Sequence, residues 1–275
     1  MNLIQSLLIG LVSGLSEILP ISAEAHRALL NTLFGLTEDG LYRIFLHISC
    51  FLAVSGYCRS DLHQLRRASR LMAIPPRRRK KPLNIADANT VRLLRNAFIT
   101  LVICRILFYR LDFIRTKLNL LPAGLIATGI LLLIPALVRS GNMDSRNMPR
   151  LNGLIMGLGG GLGGIPGFSA MGCCLSLAQW QGVDRKYALK FACLLLLPGL
   201  GCQIVMDLIA IVMAGSLGLQ LSGIPVALAG AVAAFFGCRS GLKLMHNLAA
   251  SGGFSGFSYY CWGTAMLSFV LFLTI

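Results

Sequence analysis

The chain has 275 residues, 56% of them hydrophobic and 13% charged, with a mean hydropathy of +0.74. Soluble domains run nearer a quarter charged, so composition excludes an ordinary soluble enzyme and points to an integral membrane protein. The net charge of +15 does not mark a nucleic-acid binder, because 11 of the 25 basic residues crowd between Arg59 and Arg95, the pattern of a cytoplasmic loop drawn to anionic lipid headgroups.

Nine cysteines, an odd number lying mostly in apolar runs, argue against a disulfide framework and for buried thiols acting as small hydrophobes. No Cys/His grouping has zinc spacing. The first ten residues lack a basic leader and Glu17 and His26 follow soon after, so no cleaved signal peptide is expected.

In chain order, residues 3–34 are apolar enough to enter a membrane but carry Gly10, Gly14 and Pro20 as breaks. A clean span would not hold Glu17, Glu24 and His26 without a polar purpose, so this stretch predicts a re-entrant pair of half-helices. A short acidic turn with Glu38 and Asp39 leads to a span at 41–58. The basic loop 59–95 contains Pro75, Pro76 and Pro82, which argue against one continuous helix, and its part 61–72 predicts a surface helix. Spans follow at 96–109, short and containing Arg105, and at 118–138. Residues 139–150 form a basic link and the boundary between two halves. A second broken segment occupies 151–180, followed by spans at 187–214, kinked at Pro198, 224–238 and 259–275.

The fold class expected is therefore an all-α integral membrane protein with six transmembrane helices and two re-entrant helix pairs, in inverted-topology repeats 1–138 and 151–275. Charge supports this threading. With the basic loop in the cytoplasm, the inner segments hold 19 basic residues and the outer loops three (Arg110, Arg115, Lys117), leaving Arg27, Arg43 and Arg105 in the membrane. The first re-entrant pair then opens to the outer face and the second to the inner face. The two broken segments echo each other: Gly157, Leu158, Gly161, Leu162, Ile165, Ser169 and Ala170 repeat Gly10, Leu11, Gly14, Leu15, Ile18, Ser22 and Ala23 at an offset of 147. Paired, interrupted apolar segments in two halves of a membrane chain point to a site between them.

Several residues in these segments could do chemistry. His26 could act as acid or base, as nucleophile or as a cation meeting phosphate, or serve as a hydrogen-bonded structural residue. Glu17 is an intramembrane carboxylate and so a functional candidate. Glu24 is either a second such group or a carboxylate facing headgroup water. Ser22 and Ser169, each near a proline, could cap half-helices or donate to an anion at a helix N-terminus. The run Gly159–Gly164 has neither the strand nor the Lys-Ser/Thr of a phosphate loop and reads as a close-packing surface against the other repeat.

The stretch Gly14-Leu-Ser-Glu17-Ile-Leu-Pro20-Ile-Ser22-Ala-Glu-Ala-His26 resembles the first signature of the undecaprenyl-diphosphate phosphatase (bacitracin-resistance) family. Pro166-Gly-Phe-Ser169-Ala-Met-Gly172 resembles the second, and flanking matches around Arg59, Asp61, Tyr187, Pro198 and Asp207 extend the likeness over nearly the whole chain. The resemblance implies hydrolysis of a polyprenyl diphosphate at the outer face of a bacterial inner membrane, to recycle the carrier of envelope polysaccharides. It implies Glu17, His26, Ser22 and Ser169 as catalytic residues, Gly167 and Gly172 as substrate-binding ones, and a divalent cation, magnesium or calcium, at Glu17. Arg27 and Arg43, which the resemblance does not supply, are substrate-binding candidates as cations from other backbone positions. Expected partners are the polyprenyl lipid, anionic membrane lipids at the basic loop and a second copy of the chain.

The chain also departs from the pattern. Ser13 stands for a glutamate, Ala23 and Glu24 for serine and threonine, Arg43 for an acidic residue, and Ala170, Met171 and Cys174 for arginine, serine and threonine. Loss of the arginine removes a bidentate phosphate donor, and loss of a carboxylate weakens a cation site. A non-hydrolytic polyprenyl-phosphate binder or transporter on the same scaffold is the alternative.

Overall fold

The computed structural model describes residues 1–37, 39–79, 81–110, 120–137, 141–213, 223–251 and 254–274. Glu38, Lys80, Arg115, Lys117 and Arg139 of the charge map lie outside them. The described residues form eleven α-helices and no strand beyond one isolated bridge between Met143 and Val183. Among the described residues, three helices are long and apolar enough to cross a membrane: Gly40–Tyr57, Arg185–Met213 and Ile224–Ala250. Many large apolar side chains face outward, among them Ile4, Leu52, Ile103, Ile130, Val232 and Phe269, as in a protein solvated by lipid.

Helix α1 (Leu3–Ile18) starts from a capping box in which Asn2 and Gln5 each accept the other's backbone N–H at 2.8 Å. It runs unbroken through Gly10 and Gly14, so these glycines are not the breaks expected. They are contact points: a Cβ at Gly10 or Gly14 would overlap the carbonyl of Gly230 or Ala234 in α10 (Ile224–Ser251). Small residues one turn apart let two membrane helices touch backbone to backbone. The chain breaks only at residues 19–22, after which α2 (Ala23–Leu33) begins.

The second segment has the same plan. Helix α7 (Arg150–Leu162) is followed by a turn and α8 (Ala170–Trp180). Gly157 of α7 presses on Ala97 of α5 (Ile85–Arg110) as Gly10 presses on α10. Ser22 caps α2 by accepting from Ala25 N–H at 3.3 Å, and Ser169 caps α8 by accepting from Gly172 N–H at 3.1 Å. Both helices end before a glycine in the left-handed region, Gly35 (φ 62°) and Gly182 (φ 80°), again 147 residues apart. The Gly159–Gly164 run is close-packed, but its partners include its own hairpin (Cys173, Ala170) as well as Leu101 and Cys104 of α5.

Helix α3 (Gly40–Tyr57) packs on α10 and on α9 (Arg185–Met213), and α6 (Leu120–Leu137) packs on α11 (Gly256–Thr274) and α8. Ser6 and Ser49 stitch α1 and α3 to α10 by donating to the carbonyls of Val226 and Ala231. The surface helix expected at 61–72 is α4 (Arg59–Ala73), tied to α9 by Asp61–Lys190 at 2.6 Å. Two helices run past the spans expected within them: α5 begins at Ile85 and α10 continues to Ser251. Their extra turns carry Arg92, Arg95, Arg239 and Lys243, charges that a hydropathy criterion reads as loop.

Candidate functional site

The breaks in the two hairpins face each other. Gly172, in the first turn of α8, is buried, and a Cβ there would come within 3.2 Å of the Pro20 carbonyl. The turn before α8 is held by Thr128 of α6, whose hydroxyl donates to Gly167 O at 3.1 Å and accepts from Ser169 N–H at 3.2 Å. Gly167 sits at φ 85°, where a side chain would also strike the Leu121 carbonyl. Gly167 and Gly172 therefore shape the turn and do not line the cavity beside it.

That cavity is walled by α1, α2, α3, α5, α8 and α9. Ser16 and Glu17 come from α1, Glu24 and Arg27 from α2, and Ser169 with Ala170 from the N-terminus of α8. Arg43 and His47 enter from α3, Arg105 from α5 and Gln203 from α9. Of the expected site residues, Glu17, Arg27, Arg43 and Ser169 are thus gathered here. Ser22 is buried and spent as a cap. His26 does not line the cavity: its Nδ1 lies 2.6 Å from Ser22 O and its Nε2 2.8 Å from the Tyr260 hydroxyl, with the two rings stacked.

His47, Arg105 and Gln203 line the cavity although sequence reasoning did not place them in the site, and Asp207 is bonded to His47 and Gln203 behind the wall. Asp207 is 1% exposed and accepts from three side chains: Arg43 Nη2 at 2.9 Å, His47 Nδ1 at 2.9 Å and Gln203 Nε2 at 3.1 Å. Gln203 uses its oxygen to accept from Arg105 Nη1 at 3.0 Å. One hydrogen-bonded line therefore crosses the wall from α5 through α9 to α3. Arg105 also lies against the α7–α8 turn, where a Cβ at Gly164 would sit 3.1 Å from its Cδ. A guanidinium thus stands in the same cavity as Ala170 without coming from its helix. The signal for His47, Arg105 and Asp207 was present in the sequence: polar, chargeable residues inside apolar spans default to functional candidates.

Chemically, the cavity offers three guanidiniums, a helix N-terminus with its capping serine, two carboxylates and an imidazole. Guanidiniums and a positive helix end bind phosphate oxygens. Among the described residues no three His, Cys, Asp or Glu side chains come together as a metal cage. Glu17 and Glu24 fit a magnesium-type ion only as carboxylates that share it with substrate oxygens and water.

Comparison with known proteins agrees with the likeness of the two turns. The family model described as "Bacitracin resistance protein BacA" matches residues 6–267. The chain is 32% identical to "Undecaprenyl-diphosphatase 1" of Shouchella clausii, over 98% of this chain and 96% of that protein. It is 29% identical to "Undecaprenyl-diphosphatase" of Carboxydothermus hydrogenoformans (95% and 94% covered) and 27% identical to that of Methanobrevibacter smithii (98% of each).

Proposed function

Because the chain belongs to the bacitracin resistance protein BacA family, we propose that it hydrolyses undecaprenyl diphosphate to the monophosphate within the membrane, returning the envelope lipid carrier to use. The observation that carries this reading is the cavity between the two hairpin turns, which assembles Glu17, Ser169 and the side chains of Arg27, Arg43 and Arg105. Phosphoryl transfer asks a protein mainly for positioning and for charge stabilisation in a site shielded from water. Three arginines supply the charge, and the N-terminus of α8 adds its dipole.

In this reading the helices make six spans and two re-entrant pairs, α1–α2 and α7–α8, in inverted repeats 1–138 and 151–275 joined by the link 139–150. The matched caps and glycines at an offset of 147 support it. The basic segment 59–95 lies in the cytoplasm against anionic lipids, and the first hairpin opens to the outer face of the bacterial inner membrane. Glu17, with Glu24, would hold a magnesium or calcium ion shared with the diphosphate, and the ion would add charge neutralisation. His26 positions the start of α2 through Ser22 and Tyr260.

The test is phosphate release from undecaprenyl diphosphate by the purified protein in detergent. Release that falls at least about 100-fold in Glu17→Gln is expected, the scale of losing one positioned catalytic group. Retained lipid binding with no release by the unaltered chain would replace hydrolysis by carriage.

A further inference from the structure

We propose that His47, held by Asp207, is the general base that activates the attacking water, an inference that rests on the hydrolase reading above. His47 lies on α3 and Asp207 on α9, 160 residues apart, and their side chains are 4% and 1% exposed. The Nδ1–Oδ2 distance is 2.9 Å. Arg43 and Gln203 donate to the other carboxylate oxygen at 2.9 and 3.1 Å, so Asp207 is held as a charged acceptor. A carboxylate accepting from Nδ1 fixes the proton there and leaves the Nε2 lone pair for chemistry. His47 lines the cavity with Glu17, Arg105 and Ser169. His26 offers no such nitrogen, since Ser22 and Tyr260 engage both of its own.

The step balances. Nε2 takes a proton from water as the water oxygen forms a bond to the terminal phosphorus of the diphosphate. The bond from that phosphorus to the bridging oxygen breaks, and its electron pair stays on the polyprenyl monophosphate. Orthophosphate leaves, and the proton on Nε2 passes to solvent. Asp207 stabilises the transient imidazolium, and Arg43, bonded to the same carboxylate, keeps that charge in place.

The test is kcat and KM for phosphate release between pH 5 and 9, in the unaltered protein, His47→Gln and Asp207→Asn. Glutamine can still donate to Asp207, which favours folding of the first variant. The groups facing His47 are Arg43 on its own helix, Asp207 on α9, Glu17 on α1, Glu24 and Arg27 on α2 and Arg105 on α5. The expected result is a kcat in the unaltered protein that rises with pH along an acid limb as His47 loses its proton. In His47→Gln, kcat falls about 10²–10⁴-fold with KM little changed, and the limb disappears. Asp207→Asn keeps the limb at a kcat lowered at least tenfold. A His47→Gln enzyme within threefold of normal kcat, or one that retains the limb, overturns the assignment and leaves hydrolysis standing. A flat kcat profile in the unaltered protein does the same without any variant. No release from the unaltered protein at any pH overturns both readings.

Discussion

Ser22 and Ser169 occupy equivalent places in the two hairpins, yet only Ser169 borders the cavity. Both alanine variants should lose a cap, about 1 kcal/mol of stability each. Ser169→Ala should in addition raise KM for the lipid diphosphate, while Ser22→Ala should not; thermal melting in detergent and steady-state kinetics read the two effects separately. Arg105→Lys keeps the charge but not the planar fork, and should raise KM about 10–100-fold, with Gln203 losing its donor. His26→Ala removes two buried hydrogen bonds and should cost about 1–3 kcal/mol of stability. Of the residues that line the cavity, Glu17, Ser169, Arg27 and Arg43 stand out in the sequence because local breaks and intramembrane charge mark them. His47 and Asp207 were not read as a pair, because their meeting depends on how α3 packs on α9, across 160 residues of chain.

At the scale of the helix, glycine has two meanings that hydropathy does not separate. Gly10 and Gly14 looked like interruptions, yet α1 passes through both. Their role shows only against the backbone of α10, which no local pattern reveals. Gly14→Leu should therefore cost at least the ~1–3 kcal/mol of an overpacked core, read as a lower melting temperature or loss of folded protein. Gly56, in the last turn of α3, has open space around it, and Gly56→Ala should be neutral or stabilising by up to about 1 kcal/mol. The ends of α5 and α10 escaped notice for a related reason. Arg95 and Arg239 sit on helical turns that continue beyond the apolar stretch, where charge and helix coexist at no cost.

For the molecule as a whole, orientation in the membrane is the testable consequence of the basic segment. The nine native thiols are buried or, at Cys202, half-buried, so Ser69→Cys on the exposed face of α4 supplies a distinct handle. A membrane-impermeant maleimide should label it in inside-out vesicles and spare it in intact cells; the opposite pattern would invert the threading. The all-helical, membrane-embedded character could be read from composition and hydropathy, since both are linear features. The cavity wall could not, since it is made by residues from six helices far apart in the chain.

The 147-residue offset that aligns the caps also aligns unlike chemistry. Glu17 corresponds to Gly164, Glu24 to Met171, His26 to Cys173 and Arg27 to Cys174. Two similar backbones thus meet with ionisable groups in one hairpin and glycine, methionine and cysteines at the matching positions of the other. A symmetrical vessel would accept a diphosphate in two equivalent poses, end for end. This one has a handedness of charge, so the two ends of an elongated anion held there would not be equivalent.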